Sequence, residues 1–123
     1  MSTTKADTGR STLSATTLIG DKVVNRQGEN LGKIEDLMID PEQGRVGYAV
    51  LSFGGFMGMG DKLFAVPMQA LKLSRADKWF VLDVDKERLK NAPGFDKNNW
   101  PDISDRSFGT TVYSYYNTKP YWH

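Results

Sequence analysis

The chain has 123 residues, which is enough for one domain with a single modest core. Its 16 basic and 15 acidic side chains give a formal net charge of +1. That balance provides no long-range field for a phosphate backbone, so nucleic acid is not an expected partner. Cysteine is absent, which excludes disulfides and thiolate chemistry and is compatible with a reducing cytoplasm.

Residues 1–17 are small and polar, and they predict a disordered arm because they can bury too little apolar surface to offset the cost of ordering. They lack the apolar segment of a secretory signal. The longest apolar-leaning stretch, residues 46–60, is shorter than the roughly 20 residues of a membrane helix and is broken by glycine. We therefore expect a soluble, cytoplasmic protein with no membrane insertion.

After the arm, short apolar runs alternate with turn signals, a spacing typical of a small barrel or sandwich. The first predicted strands are DKVVN (21–25) and LGKIEDLMID (31–40), joined by a turn in which Gly28 can take a positive φ at little cost. The segment PEQG (41–44) predicts a type I turn. It leads into RVGYAVLSF (45–53), the strongest strand signal in the chain.

Two further features complete the predicted domain. In the second strand the apolar positions change parity between Ile34 and Leu37, which predicts a β-bulge near residues 35–36. A short helix is predicted to begin at Asp85, as its cap, and to end at Asn91. The remaining predicted strands are KLFAVP (62–67), ALKLSR (70–75) and WFVLDVD (79–85).

These elements predict an all-β fold, a small β-barrel of about six short strands with one short helix and an extended C-terminal tail. The barrel domain is expected over residues 18–95, and an aromatic-rich extension over residues 96–123. The polar arm (1–17) precedes them.

A glycine-rich stretch before the fourth strand does not predict a phosphate site. Gly55 and Gly60 have the separation of a Walker loop, but Asp61 stands where that loop needs lysine. The segment that follows is a predicted strand and not the N-terminus of a helix that would hold an anion. Phe56 and Met57 on this loop either fold back over the barrel end or form an adaptable interaction surface.

The sequence shows no catalytic machinery. The one histidine, His123, is the last residue, so no serine has a histidine within the fold to activate it. Without cysteine, a zinc site is not expected, and the acidic clusters do not match a calcium loop. We expect no catalytic residues, no metal and no cofactor, and therefore not an enzyme.

The strand at residues 45–53 is apolar on both faces, with Tyr48 on one and Leu51 on the other, whereas a barrel wall needs only its inner face apolar. The second face is covered either by residues 86–100 or by another subunit, which suggests a homodimer or higher homo-oligomer. The segment TTVYSYY (110–116) alternates well enough for an added strand.

Aromatic residues are scarce in disordered segments, so the tail is expected to pack either on its own domain or on another chain. The candidate protein-interface residues, chosen as exposed contact positions, are Tyr48, Phe56, Met57, Tyr113, Tyr115, Tyr116 and Trp122.

The order and spacing of three segments resemble a PRC-barrel domain from Leu18 to about Val84: LIGDKVVNRQGENLGKIEDLMIDPEQGRVGYAVLSFGG, GDKLFAVPMQALKL and FVLDVD. That family includes the cytoplasmic domain of the photosynthetic reaction centre H subunit and the C-terminal domain of a ribosome maturation factor. The resemblance implies a small β-barrel that docks on other molecules and shares no catalytic constellation. The membrane helix of the H subunit and the extra domain of the maturation factor have no counterpart here.

The function expected from the sequence is a non-enzymatic protein-interaction or scaffold module that self-associates, with an unknown protein partner. Two alternatives stay open, both by analogy within the family. One is a ribosome- or RNA-associated accessory factor, and the other is an accessory to electron transfer or small-molecule binding.

Overall fold

The structure is a computed structural model that describes residues 13–54, 62–74 and 79–122. The interface candidates Phe56 and Met57 and most of the predicted arm lie outside the described residues. The elements in chain order are α1 (Ala15–Leu18), β1 (Lys22–Val24), β2 (Asn30–Asp40), β3 (Arg45–Phe53), β4 (Lys62–Pro67), a 3-10 turn (Met68–Ala70), β5 (Leu71–Ser74), β6 (Trp79–Leu82), α2 (Lys86–Lys90), β7 (Gly94–Phe95) and α3 (Arg106–Tyr115).

The strands form one seven-stranded sheet in the order β5-β6-β1-β2-β3-β4-β7. Neighbouring strands are antiparallel except β1 and β6, which are parallel. Among the described residues no ladder joins β5 to β7, so the sheet is barrel-like without being closed. The predicted all-β fold is confirmed, with a two-residue seventh strand that the sequence did not reveal.

Two irregularities in the β2–β3 ladder decide which side chains face the core. The first skips Glu35, confirming the predicted bulge, and it keeps both Ile34 and Leu37 buried. The second lies between Met38 and Ile39, and it leaves Gly47 of β3 without a residue opposite it. Beyond this second irregularity Ile39 points outward, 59% exposed.

The predicted local signals are confirmed at the turn and at the short helix. Gly28 has φ +84°, in the left-handed region that glycine adopts without steric cost. The carboxylate of Asp85 caps α2 by accepting from the Arg88 N–H at 2.7 Å, and the helix ends at its C-cap, Asn91.

The predicted strand at residues 110–116 is wrong, because this segment belongs to helix α3. Its buried residues are Gly109, Val112 and Tyr113, and the buried C-cap residue Tyr116 continues the spacing of the same helical face. Asp105 caps the helix by accepting from the Ser107 N–H at 2.9 Å. The tail is therefore folded onto the domain and not extended.

Helix α3 covers the second apolar face of β3. The Tyr113 hydroxyl donates to the carbonyl of Gly47 at 2.7 Å, and the Tyr113 ring meets Tyr48 edge-on with centroids 5.6 Å apart. Leu89 and Phe95 join the same core from within the predicted covering segment. The double-faced apolar pattern of β3, which suggested a homodimer, is thus accounted for within one chain.

Two tyrosines of α3 should respond in opposite ways to loss of their hydroxyl groups. Tyr113→Phe leaves the Gly47 carbonyl without its hydrogen-bond donor in the buried contact between α3 and β3. We therefore expect a loss of about 1–3 kcal/mol in the free energy of unfolding. The buried Tyr116 hydroxyl has no hydrogen-bond partner, so Tyr116→Phe should be neutral or stabilising by up to about 1 kcal/mol. Urea unfolding measures both, and equal losses would contradict the assignment.

Two glycines with positive φ should differ in the stability that is lost when each is replaced by alanine. A Cβ at Gly32 (φ +105°) would lie 2.1 Å from the Ser52 carbonyl oxygen, whereas a Cβ at Gly28 meets nothing within 4 Å. Gly28→Ala should cost only the backbone strain, about 1–2 kcal/mol. Gly32→Ala adds a backbone clash and should cost roughly 3–5 kcal/mol or prevent folding. Thermal unfolding compares them, and similar losses would show that the strands separate easily at Ser52.

Candidate binding cleft

A cleft of about 440 Å³ lies between the β2–β3 hairpin and the C-terminal segment. Residues 38–42 and 47–48 form one wall, and residues 103–106 with 121–122 form the other. We call it the C-terminal cleft. Its walls come from parts of the chain that are far apart in sequence, so its shape depends on how the C-terminal segment returns to the hairpin.

The return is made by the end of α3. Asn117 adopts a left-handed conformation with φ +54°. The Thr118 N–H then bonds to the Tyr113 carbonyl at 2.9 Å, and the Asn117 N–H bonds to the Ser114 carbonyl at 3.0 Å. This pair of bonds is a Schellman motif, which ends a helix and reverses the chain. The reversal brings Tyr121 and Trp122 back to the hairpin.

Asp40 holds the returning segment. Its carboxylate accepts from the Tyr121 hydroxyl at 2.5 Å and from the backbone N–H groups of Glu42 and Gln43. The Tyr121 bond is the largest cause that lowers the pKa of Asp40, and attraction to Arg106 acts in the same direction. Gly47 leaves room for this bond, because a Cβ there would lie 3.0 Å from the Tyr121 hydroxyl.

The pKa of Tyr121, the partner of Asp40, is shifted in the opposite direction. Burial, followed by the bond to Asp40, raises the pKa of the Tyr121 phenol. The Arg45 guanidinium lies over the Tyr121 ring, 4.1 Å from its centroid. The Tyr121 ring in turn meets Trp122 edge-on at 5.1 Å. Cation, ring and carboxylate therefore fix the position of the last residues of the described chain.

Tyr48 lines the cleft with a hydroxyl that makes no hydrogen bond to any described residue. The residue is only 8% exposed, and burial raises the pKa of its phenol to about 12. The hydroxyl lies beside Gly109, where a Cβ would be 2.5 Å from it and 2.8 Å from the Trp122 ring. Glycine at this helix position leaves room for both side chains.

The structure brings together only part of the predicted interface set. Tyr48 and Trp122 both line the C-terminal cleft. The expectation that Tyr113 and Tyr116 are exposed is wrong, since they are 0% and 8% exposed. The cause is the helical period, which turns both side chains towards the sheet.

Tyr115 has a different neighbour. Its hydroxyl donates to the Arg88 carbonyl at 2.6 Å, while the Arg88 side chain donates to the Tyr115 carbonyl and lies over the Tyr115 ring at 4.3 Å. These reciprocal contacts join α2 to α3. Tyr115 is therefore part of a contact between helices and does not line the cleft.

Sequence reasoning missed several residues of the cleft: Ile39, Asp40, Arg106 and Tyr121. The apolar pattern of β2 does not indicate an exposed Ile39, because Ile39 has the same parity as the buried Leu37. The other three positions have no local signal, because their roles arise from contacts between distant segments. The Asp40–Tyr121 bond spans 81 residues.

Among residues 13–54, 62–74 and 79–122, no group of three His, Asp or Glu side chains is arranged to hold a metal ion. None of the helices in these ranges combines the length and the apolar character required to cross a membrane.

Two comparisons relate the chain to known proteins. The sequence model of the PRC-barrel domain matches residues 11–89, more than half of the chain. A solved structure of a candidate 16S ribosomal RNA processing protein, RimM, from Pseudomonas aeruginosa is similar with 19% identity and a TM-score of 0.42. The similarity covers 65% of this chain and 48% of that one, so the chain spans about half the length of its structural neighbour. No curated protein matches the sequence.

The Tyr121 hydroxyl bonds to a carboxylate that titrates, so we expect the contribution of Tyr121 to the stability of the fold to depend on pH. Because the folded-state pKa of Asp40 lies below its ordinary value of 3.8, the bond stabilises the fold above that pH and its contribution is lost as the pH falls through the folded pKa. Tyr121→Phe should therefore lower the melting temperature at about pH 6, and the deficit should shrink towards about pH 2.

The matched control is Tyr115→Phe, whose phenol bonds a backbone carbonyl. Its deficit in melting temperature should not narrow in the same way over this acid range, because its acceptor does not titrate. Thermal unfolding at several pH values compares the two variants. A Tyr121→Phe deficit that stays constant with pH would contradict the role assigned to Asp40.

Proposed function

The chain belongs to the PRC-barrel domain family, and we propose that it is a non-enzymatic protein-interaction module that docks a partner protein in the C-terminal cleft. The observation that carries this proposal is the composition of the cleft. A strongly exposed Ile39 lines the cleft together with Tyr48 and Trp122. Tyr, Trp and Arg dominate the energetics of protein interfaces, and all three residue types line this cleft.

The cleft is also the place where this chain differs from its family domain. The matched residues end at 89, whereas one entire wall comes from residues 103–106 and 121–122. A docking site built partly outside the shared domain favours a partner that is particular to proteins with this extension. The partner in this proposal is a different protein, since the outer face of β3 is already covered by α3.

Small-molecule binding is the second candidate. The cleft volume of about 440 Å³ lies within the range of roughly 300–1,000 Å³ typical of ligand sites. The exposed isoleucine at the edge favours a protein surface over an enclosed ligand, because ligand sites bury most of the surface of what they bind.

The test uses the full chain as bait in an extract of the source cells, with Ile39→Asn as the variant. Loss of this exposed side chain should leave stability within about 0.5 kcal/mol of the parent. It should reduce capture of the cleft-binding partner about tenfold, as expected for an apolar anchor worth more than 1 kcal/mol. Quantitative mass spectrometry of the bound proteins measures the change.

Ile19→Asn is the matched control, because Ile19 is an exposed isoleucine that does not line the cleft. A partner lost with Ile39→Asn and retained with Ile19→Asn supports the proposal. Equal retention by all three baits would place docking elsewhere on the chain. Recovery of the bait protein alone would point to self-association, and the absence of any bound protein would favour the small-molecule candidate.

A further inference from the structure

The C-terminal cleft carries more negative than positive charge. Its ionisable side chains with ordinary charges are Asp40, Glu42 and Asp105 against one cation, Arg106. The pKa values of Asp40 and Asp105 are both lowered, mainly by hydrogen bonds that their carboxylates accept, so both stay ionised at neutral pH. Arg45 lies over the ring of the cleft residue Tyr121, so three carboxylates against two guanidinium groups leave a local excess of one negative charge.

Two of these carboxylates have oxygen atoms available to a ligand. Asp40 is already engaged by Tyr121 and by the turn. Asp105 uses Oδ1 for Ser107, and its other oxygen makes no hydrogen bond to a described residue. The Glu42 side chain makes no hydrogen bond within the described chain and is exposed.

The unpartnered hydroxyl of Tyr48 is a second and independent feature. The side chain is more than nine-tenths buried, yet its hydroxyl oxygen is not enclosed as that of Tyr116 is, so this oxygen stays accessible. Here the hydroxyl belongs to a residue that lines the cleft, and it can accept a hydrogen bond from a ligand.

The aromatic rings of the cleft already hold cations of this chain. Arg45 lies 4.1 Å from the Tyr121 centroid, and Arg106 lies 5.5 Å from the Trp122 centroid. Both distances are within the reach of cation–π attraction. These rings are therefore compatible with positive charge in their surroundings, whereas an anionic ligand would be repelled by the three carboxylates.

We propose that the cleft binds a peptide segment of the partner that carries a lysine or arginine side chain next to an apolar one. The cation of the peptide contacts Glu42, Asp105 and the Tyr48 hydroxyl, and its apolar neighbour packs on Ile39. This inference rests on the proposed function and adds the chemistry of the partner. It commits to a basic peptide, and it excludes RNA because phosphates would face the same carboxylates.

The experiment titrates the full chain with three synthetic hexapeptides and follows binding by NMR. The first contains two lysines between leucines, the second has glutamine in place of both lysines, and the third has glutamate. We expect the lysine peptide to bind at least about tenfold more tightly than the glutamine peptide. Raising the salt concentration from about 50 to about 300 mM should weaken the lysine peptide several-fold.

The double variant Glu42→Gln with Asp105→Asn removes the two available carboxylates and keeps a capping side chain at the start of α3. It should weaken the lysine peptide about tenfold while leaving the glutamine peptide unchanged. The control is Asp83→Asn with Glu87→Gln, which makes the same change in net charge at exposed residues outside the cleft. It should alter binding less than about twofold.

Tyr48→Phe gives a third measurement, since it should weaken the lysine peptide about threefold and preserve the fold. Equal affinities of the lysine and glutamine peptides, no binding of any peptide, or equal effects of the two double variants would overturn the inference. Binding of a single-stranded RNA oligonucleotide in place of the peptides would also overturn it. If a captured partner needs Ile39 but binds the Glu42→Gln, Asp105→Asn variant normally, the docking site stands and only its charge preference is wrong.

Discussion

The hydrogen bond from the Tyr113 hydroxyl to the Gly47 carbonyl is the contact on which the rest of the structure depends. The second irregularity of the β2–β3 ladder leaves Gly47 without an opposite residue, and a carbonyl buried beneath a helix needs a partner. Helix α3 supplies that partner. The hydrogen bond fixes α3 on β3. The Schellman motif at the end of α3 then directs Tyr121 to Asp40. One irregularity in a strand thus determines where the C-terminal segment lies.

It follows that the C-terminal cleft belongs to neither part of the chain alone. The hairpin supplies Asp40 and Tyr48, and the extension supplies Arg106 and Trp122. Removal of the extension would also expose the face of β3 that Tyr113 covers, so stability and binding would be lost together. For this reason single substitutions at the edge of the cleft separate the two properties better than truncation does.

The strands and the α2 helix were predictable because their signals are local: period-two apolar patterns, a glycine turn and an Asp85 cap. Helix α3 was missed because the same residues fit two periods. Val112, Ser114 and Tyr116 alternate as in a strand, while Gly109, Val112, Tyr113 and Tyr116 follow a helix. Only contact with β3 decides between them. The cleft could not be predicted, since Asp40 and Tyr121 meet through tertiary structure alone.

The hydroxyls of Tyr48 and Tyr116 make no hydrogen bond to a described residue, and only that of Tyr116 is buried. The Tyr116 hydroxyl is enclosed on all sides, so no ligand can reach it and its cost to stability is permanent. Tyr48 lines the cleft and its hydroxyl is not enclosed, so water can pair with it in the free protein and a ligand must replace that water. An unpaired polar group is a defect in a closed core. In a cleft the same group bonds to water, and a ligand gains only the difference between its own hydrogen bond and the one that it displaces.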